Sequence, residues 1–320
     1  MRQTHTRRSK HLGLQILAFG ARLWIGLAAG GCADRPVGGG TPPTTINRLS
    51  PRHIQRTYVR PGERDVKLDL YLPAAASRPV PVVVMFHGGG WAKGAPSQVR
   101  ADLEPFLAAG WAGVTPAYRL APRDRAPAAL EDAECALRWV GVHAAEYGLA
   151  ADRIVVAGYS AGGYLALMLG LASESTALAR NCLGSPRPRV ALVVSLAGIS
   201  DLDELVGDAV RRDWAVQWVG RPPGSGLVPA AWSPLRSVHG GAAPVVTLHG
   251  DRDEVVPYSQ SLRLHRALDS LHVPNRLVAL PGAGHRLPWS AAQRAFQGAL
   301  ALLDAQEVTP SPAGGRPSSR

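Results

Sequence analysis

The chain has 320 residues, of which 46% are hydrophobic and 18% charged, with 35 glycines and 27 prolines spread along it. This composition supports a packed core and excludes a collagen-like or wholly disordered chain. The net charge of +11 does not indicate a nucleic-acid partner, because residues 1–31 hold five cations and no acid, and the remaining +6 is dispersed rather than gathered in a basic run with interleaved aromatic rings.

Residues 1–31 are typical of an export signal: a basic stretch is followed by an apolar stretch and by small residues before Cys32. Arg22 interrupts the apolar stretch, and a charge inside a membrane-spanning helix is costly, so a cleaved signal is favoured over a span. The residues before Cys32 are similar to a bacterial lipobox, although Ala29 stands where Leu is usual. We therefore expect an exported protein, either anchored in the bacterial cell envelope on the periplasmic side through a lipidated Cys32, or secreted.

The rest of the chain divides into a linker, one domain and a tail. Residues 32–52 are rich in Gly, Pro and Thr and are expected to be a tether. Residues 307–320 are rich in Pro, Ser and Gly, which predicts a disordered tail. Residues 53–306 contain no internal repeat and are predicted to form a single domain.

Alternating and continuous apolar runs predict the strands of this domain. Residues 54–59 and 66–72 alternate in polarity, which predicts an antiparallel hairpin. Residues 80–86 are almost continuously apolar, as in a central parallel strand covered on both faces. Similar runs predict further strands at residues 113–118, 154–157, 190–196, 245–248 and 276–280.

Segments with helical spacing lie between most of these strands, the clearest at residues 127–147, where Pro127 is well placed at a helix start. Strands that alternate with helices predict an α/β domain with a doubly wound, mostly parallel sheet and helices on both faces. Residues 201–236 interrupt the alternation. They predict a small cap inserted over the carboxyl edge of the sheet, where ligands bind in open α/β folds. The cap carries three tryptophans, Trp214, Trp218 and Trp232.

Residues 158–163, Gly-Tyr-Ser-Ala-Gly-Gly, lie between an apolar strand and a helix at residues 164–171. In this context a G-x-S-x-G sequence exposes a nucleophilic serine. So sharp a turn needs strained backbone at the Ser, and side chains at the two flanking Gly positions would collide with each other or with neighbouring elements. The turn also places the hydroxyl at a helix N-terminus, where developing negative charge is stabilised. The pattern indicates Ser160 as a nucleophile, with a simple tight turn as the alternative.

Residues 87–91, His-Gly-Gly-Gly-Trp, directly follow a predicted strand and match the H-G-G-G type of oxyanion loop. The main-chain amides of Gly88 and Gly89, together with that of Ala161, are predicted to bind the substrate oxyanion. His87 is expected to brace the loop rather than to act as a base. A Gly-rich turn without a catalytic role is the alternative.

A base must follow the serine and the acid in the chain. Among ten histidines, His285 lies in a Gly-rich loop after the last predicted strand, which would carry its imidazole to the carboxyl edge of the sheet. His239 and His249 precede or end the preceding strand and His272 lies at a predicted helix end, so these three fit the role of base less well.

Residues 249–257 close the penultimate strand and offer three carboxylates. Asp253 is the predicted acid. Asp251 is expected to brace the turn, a frequent role of Asp, and Glu254 is expected to point away from its neighbour. Asp201, after the preceding strand, is the alternative acid.

Trp91 and Tyr159 flank the two glycine motifs and are the predicted substrate contacts of a partly aromatic pocket, with core packing as the alternative for the tryptophan. No metal or cofactor is expected, because the histidines lack metal-ligand spacing and no phosphate-binding loop is present. Cys135 lies on a predicted helix as a small core residue, and a bridge from Cys135 to Cys182 after export is the alternative.

A set of motifs over residues 66–303 resembles one known group of proteins, the bacterial serine esterases of the hormone-sensitive-lipase and BD-FAE-like type. The motifs are residues 87–91, 118–122, 128–132, 137–139, 158–163, 250–257 and 284–285. The resemblance implies an α/β-hydrolase fold and activity on short acyl or aryl esters. Tyr159 precedes the serine where lipase-like members often have an acid, and little chain remains before Val66 to form a separate N-terminal cap. Both departures favour the BD-FAE-like or carboxylesterase branch over true lipases.

Together these observations predict a serine hydrolase that cleaves small-molecule carboxylic esters through an acyl-enzyme on Ser160. An amidase such as an arylformamidase, or a peptidase, would use the same triad and stays open. A binding module on the same fold is the non-enzymatic alternative. The sequence does not assign an oligomeric state.

Overall fold

The computed structural model describes residues 51–74, 79–173, 178–180, 182, 186–207, 213–220, 228–288 and 290–308. The predicted signal, Cys32, most of the predicted linker and the chain from residue 309 onward lie outside the described residues. Within the described part, no helix combines the length and the hydrophobicity needed to cross a bilayer.

Eight strands among the described residues form one sheet, in the order β1-β2-β4-β3-β5-β6-β7-β8. The first two strands form the predicted antiparallel hairpin, and β2 is antiparallel to β4, whereas all other neighbours are parallel. The strands are β1 Arg52–Val59, β2 Val66–Leu72, β3 Val80–Phe86, β4 Ala112–Pro116, β5 Leu149–Tyr159, β6 Val190–Leu196, β7 Val245–Gly250 and β8 Asn275–Leu280.

Helices connect the strands and cover both faces of the sheet. They are α1 Glu104–Ala108, α2 Ala128–Val142, α3 Ala144–Tyr147, α4 Ala161–Leu171, α5 Leu202–Gly207, α6 Asp213–Val219, α7 Tyr258–Ser270 and α8 Ser290–Val308. The helix predicted over residues 127–147 is two helices, α2 and α3, which meet at His143. The helix predicted over residues 164–171 begins three residues earlier, directly after Ser160.

Successive side chains of β3 alternate between the two layers of the hydrophobic core. Val82 and Val84 face a layer that includes α2, α4 and α7, whereas Val83 and Met85 face a layer that includes α1 and α8. Both sets are at most 2% exposed, because a parallel strand between two helical layers is apolar on both sides. This is the α/β-hydrolase fold, with the predicted doubly wound sheet confirmed.

The segment predicted as a cap contains two short helices, α5 and α6, between β6 and β7. Trp218 of α6 is completely buried, whereas Trp214 is partly exposed. Cys135 of α2 forms a disulfide with Cys182, so the alternative of a bridge holds, although Cys135 is also buried in the core.

Candidate active site

The turn between β5 and α4 holds Ser160 in a left-handed conformation, with φ of 55°. A Cβ at Gly158 would lie 2.2 Å from the carbonyl oxygen of Gly162, and a Cβ at Gly162 would lie 2.1 Å from that of Phe86. Real Cβ contacts are never so short, so only glycine fits either position. The backbone strain and the two glycine requirements expected from the sequence are therefore present.

Ser160, His285 and Asp253 form a hydrogen-bonded row at the carboxyl edge of the sheet, after β5, β8 and β7. The distance from His285 Nδ1 to Asp253 Oδ2 is 2.7 Å, and that from His285 Nε2 to Ser160 Oγ is 3.0 Å. Because Nδ1 faces a carboxylate, it carries the ring proton and donates it, which leaves Nε2 to accept the hydrogen bond of the hydroxyl. The structure thus brings together the three side chains predicted from separate motifs.

Asp253 is almost completely buried, 8% exposed, yet every side of its carboxylate has a donor. Its Oδ1 accepts hydrogen bonds from the amides of Val255 and Val256, at 2.8 and 2.9 Å. Its Oδ2 faces His285 and, at 3.1 Å, Nε2 of His249. Burial alone would raise the pKa of Asp253, but the hydrogen bonds from the two histidines outweigh it and hold the pKa well below its usual value. The carboxylate is therefore ionised at neutral pH.

The other acidic candidates have different surroundings. Asp251 accepts a hydrogen bond from the amide of Gly282 at 2.7 Å and so braces the turn as expected. Glu254 is exposed. Asp201 lies 3.2 Å from the guanidinium of Arg263, in an ion pair away from the histidine row.

The histidines that fit the role of base less well also differ from His285. The side chains of His239 and His272 are exposed. His249 is completely buried at the end of β7 and contacts Asp253 instead of the serine. The sequence pattern did not predict this contact, although His249 stands four residues before Asp253.

The loop after β3 contains the predicted oxyanion donors. Gly88 and Gly89 line the same cavity as Ser160, and within the described residues their amides donate no hydrogen bond to the main chain. Gly89 has φ of 114°, and a Cβ there would lie 2.0 Å from the carbonyl oxygen of Lys93. Ala161 is the first residue of α4, so its amide has no partner within the helix. In the described part of the chain, Gly88, Gly89 and Ala161 thus have main-chain amides without a main-chain partner, on the loop that lines the cavity with Ser160 and on the residue that follows Ser160.

His87 braces this loop, as expected from the sequence. Its Nδ1 donates a hydrogen bond to the carbonyl of Gly88 at 2.7 Å, and its ring stacks on Tyr118 at 4.2 Å between centroids. The Tyr118 hydroxyl donates in turn to the carbonyl of His87 at 2.8 Å. Burial lowers the pKa of His87, so the ring is neutral at pH 7.

The structure does not bring Trp91 to the cavity wall. Its side chain is fully buried and stacks on Trp218, with ring centroids 4.1 Å apart, while Tyr164 meets it edge-on at 5.0 Å. The large apolar ring is stabilised by core packing, which was the alternative for this residue. Trp214 of the cap lines the cavity instead.

Tyr159 lines the cavity as predicted and has a second contact. Its hydroxyl donates a hydrogen bond to the carbonyl oxygen of His285, 2.5 Å away. Burial, with smaller contributions from the charges of Asp253 and Asp102, raises the pKa of Tyr159 to about 12. The hydroxyl therefore stays protonated and holds the loop that carries His285.

The cavity above Ser160 has a volume of about 1070 Å³. One part of its wall is apolar and includes Val99, Leu196, Trp214, Leu287 and Ala291, and another part carries the charged residues Lys93, Asp102, Asp213 and Arg286. Burial raises the pKa of Asp102 to about 6. Among the described residues, no group of three or more His, Cys, Asp or Glu side chains is arranged to hold a metal ion.

Comparison with known proteins places the chain in a family. A family model described as BD-FAE matches residues 68–268. Esterase LipQ of Mycobacterium tuberculosis is 30% identical over 255 residues, which cover 76% of this chain and 59% of that protein. The chain thus spans about three fifths of the length of this curated relative.

Solved structures agree with the family match. The propionate-bound structure of esterase Est2 from Thermogutta terrifontis is 25% identical and covers 83% of this chain and 98% of its own, with a TM-score of 0.67. The same esterase phosphoramylated by tabun is 25% identical, covers 83% and 99%, and has a TM-score of 0.65. Because the family model covers more than half of the sequence, the chain belongs to the BD-FAE family.

Proposed function

We propose that this protein is a serine carboxylesterase with Ser160 as nucleophile, His285 as general base and Asp253 as the acid. The observation that carries the proposal is the continuous hydrogen-bonded row of these three side chains, with distances of 2.7 and 3.0 Å, opening on a cavity. The printed names of the relatives support it, since LipQ and Est2 are both called esterases. Modification of Est2 by tabun, an organophosphate, is consistent with the same kind of nucleophile.

The positions of these atoms support the following acylation step. His285 Nε2 takes the proton of Ser160 as Oγ attacks the ester carbon, and Asp253 stabilises the imidazolium that forms. The amides of Gly88, Gly89 and Ala161 donate hydrogen bonds to the oxyanion. The bond from carbon to the alcohol oxygen then breaks, and the imidazolium gives its proton to the departing alkoxide.

Deacylation uses the same groups in reverse. A water molecule loses a proton to His285 Nε2 while its oxygen attacks the acyl carbon on Ser160, and the main-chain amides again hold the oxyanion. When the tetrahedral intermediate collapses, the bond to Oγ breaks and the proton returns to the serine. The products are a carboxylic acid and an alcohol.

The cavity supports short acyl or aryl esters as substrates. Its volume of about 1070 Å³ is at the upper end of the usual range for small-molecule sites. The apolar wall from Leu196 and Ala291 fits a hydrocarbon chain, and Trp214 offers an aromatic face. We expect activity to be highest with acyl chains of about two to six carbons, in line with the propionate bound to Est2.

Active-site labelling tests the nucleophile. A fluorophosphonate probe should label the wild-type protein and not Ser160→Ala, which should also lose nearly all p-nitrophenyl acetate hydrolysis. Ser195→Ala is the matched control, because Ser195 is equally buried and its hydroxyl has no hydrogen-bond partner among the described residues. Labelling that persists in Ser160→Ala would reject the proposal.

A substrate panel tests the reaction class. p-Nitrophenyl esters of increasing chain length, N-formylkynurenine and a peptide p-nitroanilide separate an esterase from an arylformamidase and a peptidase. We expect kcat/KM to peak at short acyl esters. A clear preference for the formamide, the anilide or long acyl chains would contradict this expectation.

We also propose that the protein is exported, with Cys32 as a candidate for lipidation. The basic and apolar residues 1–31 support export, and so does the disulfide between Cys135 and Cys182, because disulfides persist in oxidising compartments. Incorporation of an alkyne fatty acid, with Cys32→Ala as the control, distinguishes an anchored from a secreted form. Recovery of the full-length protein in the cytoplasm with both thiols reduced would contradict export.

A further inference from the structure

His249 is a second histidine on the carboxylate of Asp253. It lies at the end of β7 with its side chain completely buried. Its Nε2 is 3.1 Å from Asp253 Oδ2 and 3.0 Å from the carbonyl oxygen of Val256, and its Nδ1 is 2.6 Å from Oγ of Ser261. Both ring nitrogens are therefore occupied by partners from the loop after β7 and from α7.

The partners determine which nitrogen carries the proton. A carboxylate and a carbonyl oxygen accept hydrogen bonds and donate none, so Nε2 must be the protonated nitrogen. Nδ1 of the neutral ring is then an acceptor and receives the hydroxyl proton of Ser261. The two acceptors at Nε2 thus fix the tautomer of His249, as Asp253 fixes that of His285, and the hydroxyl of Ser261 adapts by donating to Nδ1.

Asp253 Oδ2 accepts from two histidines that differ in their other contacts. His285 continues to Ser160 Oγ and opens on the cavity, whereas His249 has no exposed surface. The amides of Val255 and Val256 hold Oδ1, so the Nε2–H of His249 completes the cage that sets the plane and direction of the carboxylate. Without it, a buried lone pair of Oδ2 would lack a donor.

We propose that His249 is a positioning residue, which aims Oδ2 of Asp253 at Nδ1 of His285 and limits how strongly the carboxylate attracts the proton of that ring. The inference rests on the proposed function, since it gives His249 a task only if Asp253 is the acid of the triad. A histidine that merely fills space in the core would contribute to stability without affecting the reaction.

Removal of the Nε2–H donor of His249 should shift the pH dependence of the reaction in a direction that can be measured. With one hydrogen bond fewer, the Asp253 carboxylate keeps more of its charge for His285 and stabilises the imidazolium more strongly, so the base should titrate at higher pH. Among the described residues that contact the His249 ring, Asp253 and Tyr258 are the titratable ones, the latter with its ring edge-on at 5.6 Å. Burial raises the pKa of Tyr258, so it stays uncharged through the acid range.

Two substitutions separate the donor from the space it fills. His249→Phe keeps a planar ring and removes both nitrogens, whereas His249→Gln places an amide donor the same number of bonds from Cβ as Nε2. We expect kcat of the Phe variant to fall roughly ten- to hundredfold, the loss for one hydrogen bond to a charged group. KM should change less than twofold, and the acidic limb of the kcat/KM profile should move to higher pH. His249→Gln should recover most of kcat and the original profile.

His265→Phe is the matched control for burial. His265 is 5% exposed on α7 and its Nδ1 contacts Asn275 Oδ1 at 2.6 Å, away from the triad. The His265→Phe substitution should lower the melting temperature, while kcat and the pH profile stay as in the wild type. If His249→Phe does not fold, His249→Leu, with its smaller side chain, replaces it in the same measurements.

The outcomes distinguish the two levels of the proposal. Full activity in the Ser160→Ala variant would contradict the proposed function itself. If Ser160→Ala is inactive but His249→Phe behaves like His265→Phe, with normal kcat and pH profile, only the inference about His249 falls. A His249→Gln variant that folds and is as slow as His249→Phe would also overturn it, because the donor would then not be what matters.

Discussion

Two carboxylates near Ser160 have pKa values shifted in opposite directions. Asp253, after β7, is buried with four donors around it, and its pKa lies well below the usual value. Asp102, in the segment that leads to α1, lines the same cavity, and no hydrogen bond or ion pair to it is found among the described residues. Burial raises its pKa to about 6. Since burial raises the pKa of both carboxylates, the donors decide which of the two has a pKa below its usual value.

The difference shows how the fold assigns roles to like groups. Two main-chain amides of the turn after β7, the imidazole of His249 at the end of β7 and that of His285 after β8 all face one side chain, so the charge of Asp253 is fixed before any substrate binds. Asp102 extends from a segment without such donors and is free to gain or lose a proton as the cavity fills. The first arrangement suits an orienting acid, and the second suits a cavity wall.

Replacement of Asp253, the carboxylate with four hydrogen-bond donors, should give the largest fall in kcat. Asp253→Asn keeps the shape but offers an amide to His285, which favours the wrong tautomer, so kcat should fall roughly 10³- to 10⁴-fold. Asp251→Asn, two residues earlier on the same turn, is the control and should stay within about threefold of wild type. Initial rates with p-nitrophenyl acetate measure both variants. A loss below tenfold in Asp253→Asn would mean that the cage has no catalytic role.

Tyr159 lies within electrostatic range of both carboxylates, and its removal should give an intermediate effect. Tyr159→Phe loses the hydrogen bond to the carbonyl of His285, worth about 0.5–1.5 kcal/mol, and kcat/KM should fall about two- to tenfold. Tyr147→Phe is the control, because it likewise removes a hydroxyl with a hydrogen-bond partner, Arg56, but does not line the cavity. A reduced rate of fluorophosphonate labelling would show that activation of Ser160 by His285 is impaired. A change confined to KM would contradict the proposal that Tyr159 holds the loop of His285.

Removal of the uncaged charge should leave catalysis almost unchanged and affect stability. Asp102 binds its proton more tightly in the folded state, with a pKa of about 6 against 3.8 for an unperturbed Asp. The wild type therefore loses stability as the pH rises from about 4 through 6. Asp102→Asn avoids this loss and should be more stable than wild type by about 1–3 kcal/mol at pH 8, but not at pH 4.

Urea unfolding at both pH values measures this difference. Asp213→Asn is the control, because Asp213 is an exposed carboxylate on the same cavity. An equal gain for Asp102→Asn at pH 4 and pH 8 would show that the effect is not electrostatic.

The sequence was most informative where one physical requirement has few solutions. The strained turn at Ser160 requires glycines at positions 158 and 162, and continuous apolar runs require a sheet covered on both faces, so the order of elements and the meeting of Ser160, Asp253 and His285 could be predicted. The ends of the strands were less so: β5 begins five residues before its predicted start, at Leu149. After the buried Leu149, its first residues from Ala150 to Arg153 are partly or fully exposed and gave no continuous apolar signal.

Side chains whose roles depend on distant partners were not predictable. Trp91 follows the glycine loop and was expected to contact substrate, but its ring stacks on Trp218, 127 positions later in the chain. His249 was judged only as a rival base, and its contact with Asp253 depends on the turn conformation. The pairing of Cys135 with Cys182 likewise depends on where the segment before β6 lies.

The hydrogen bond from Tyr159 to the carbonyl of His285 has a consequence for protein engineering. Tyr159 lines the cavity beside Ser160 and also fixes the loop that carries His285. Libraries that vary position 159 to widen the substrate range will therefore change turnover at the same time. Selectivity is better redesigned at Trp214, which borders the cavity from the cap and leaves the base untouched.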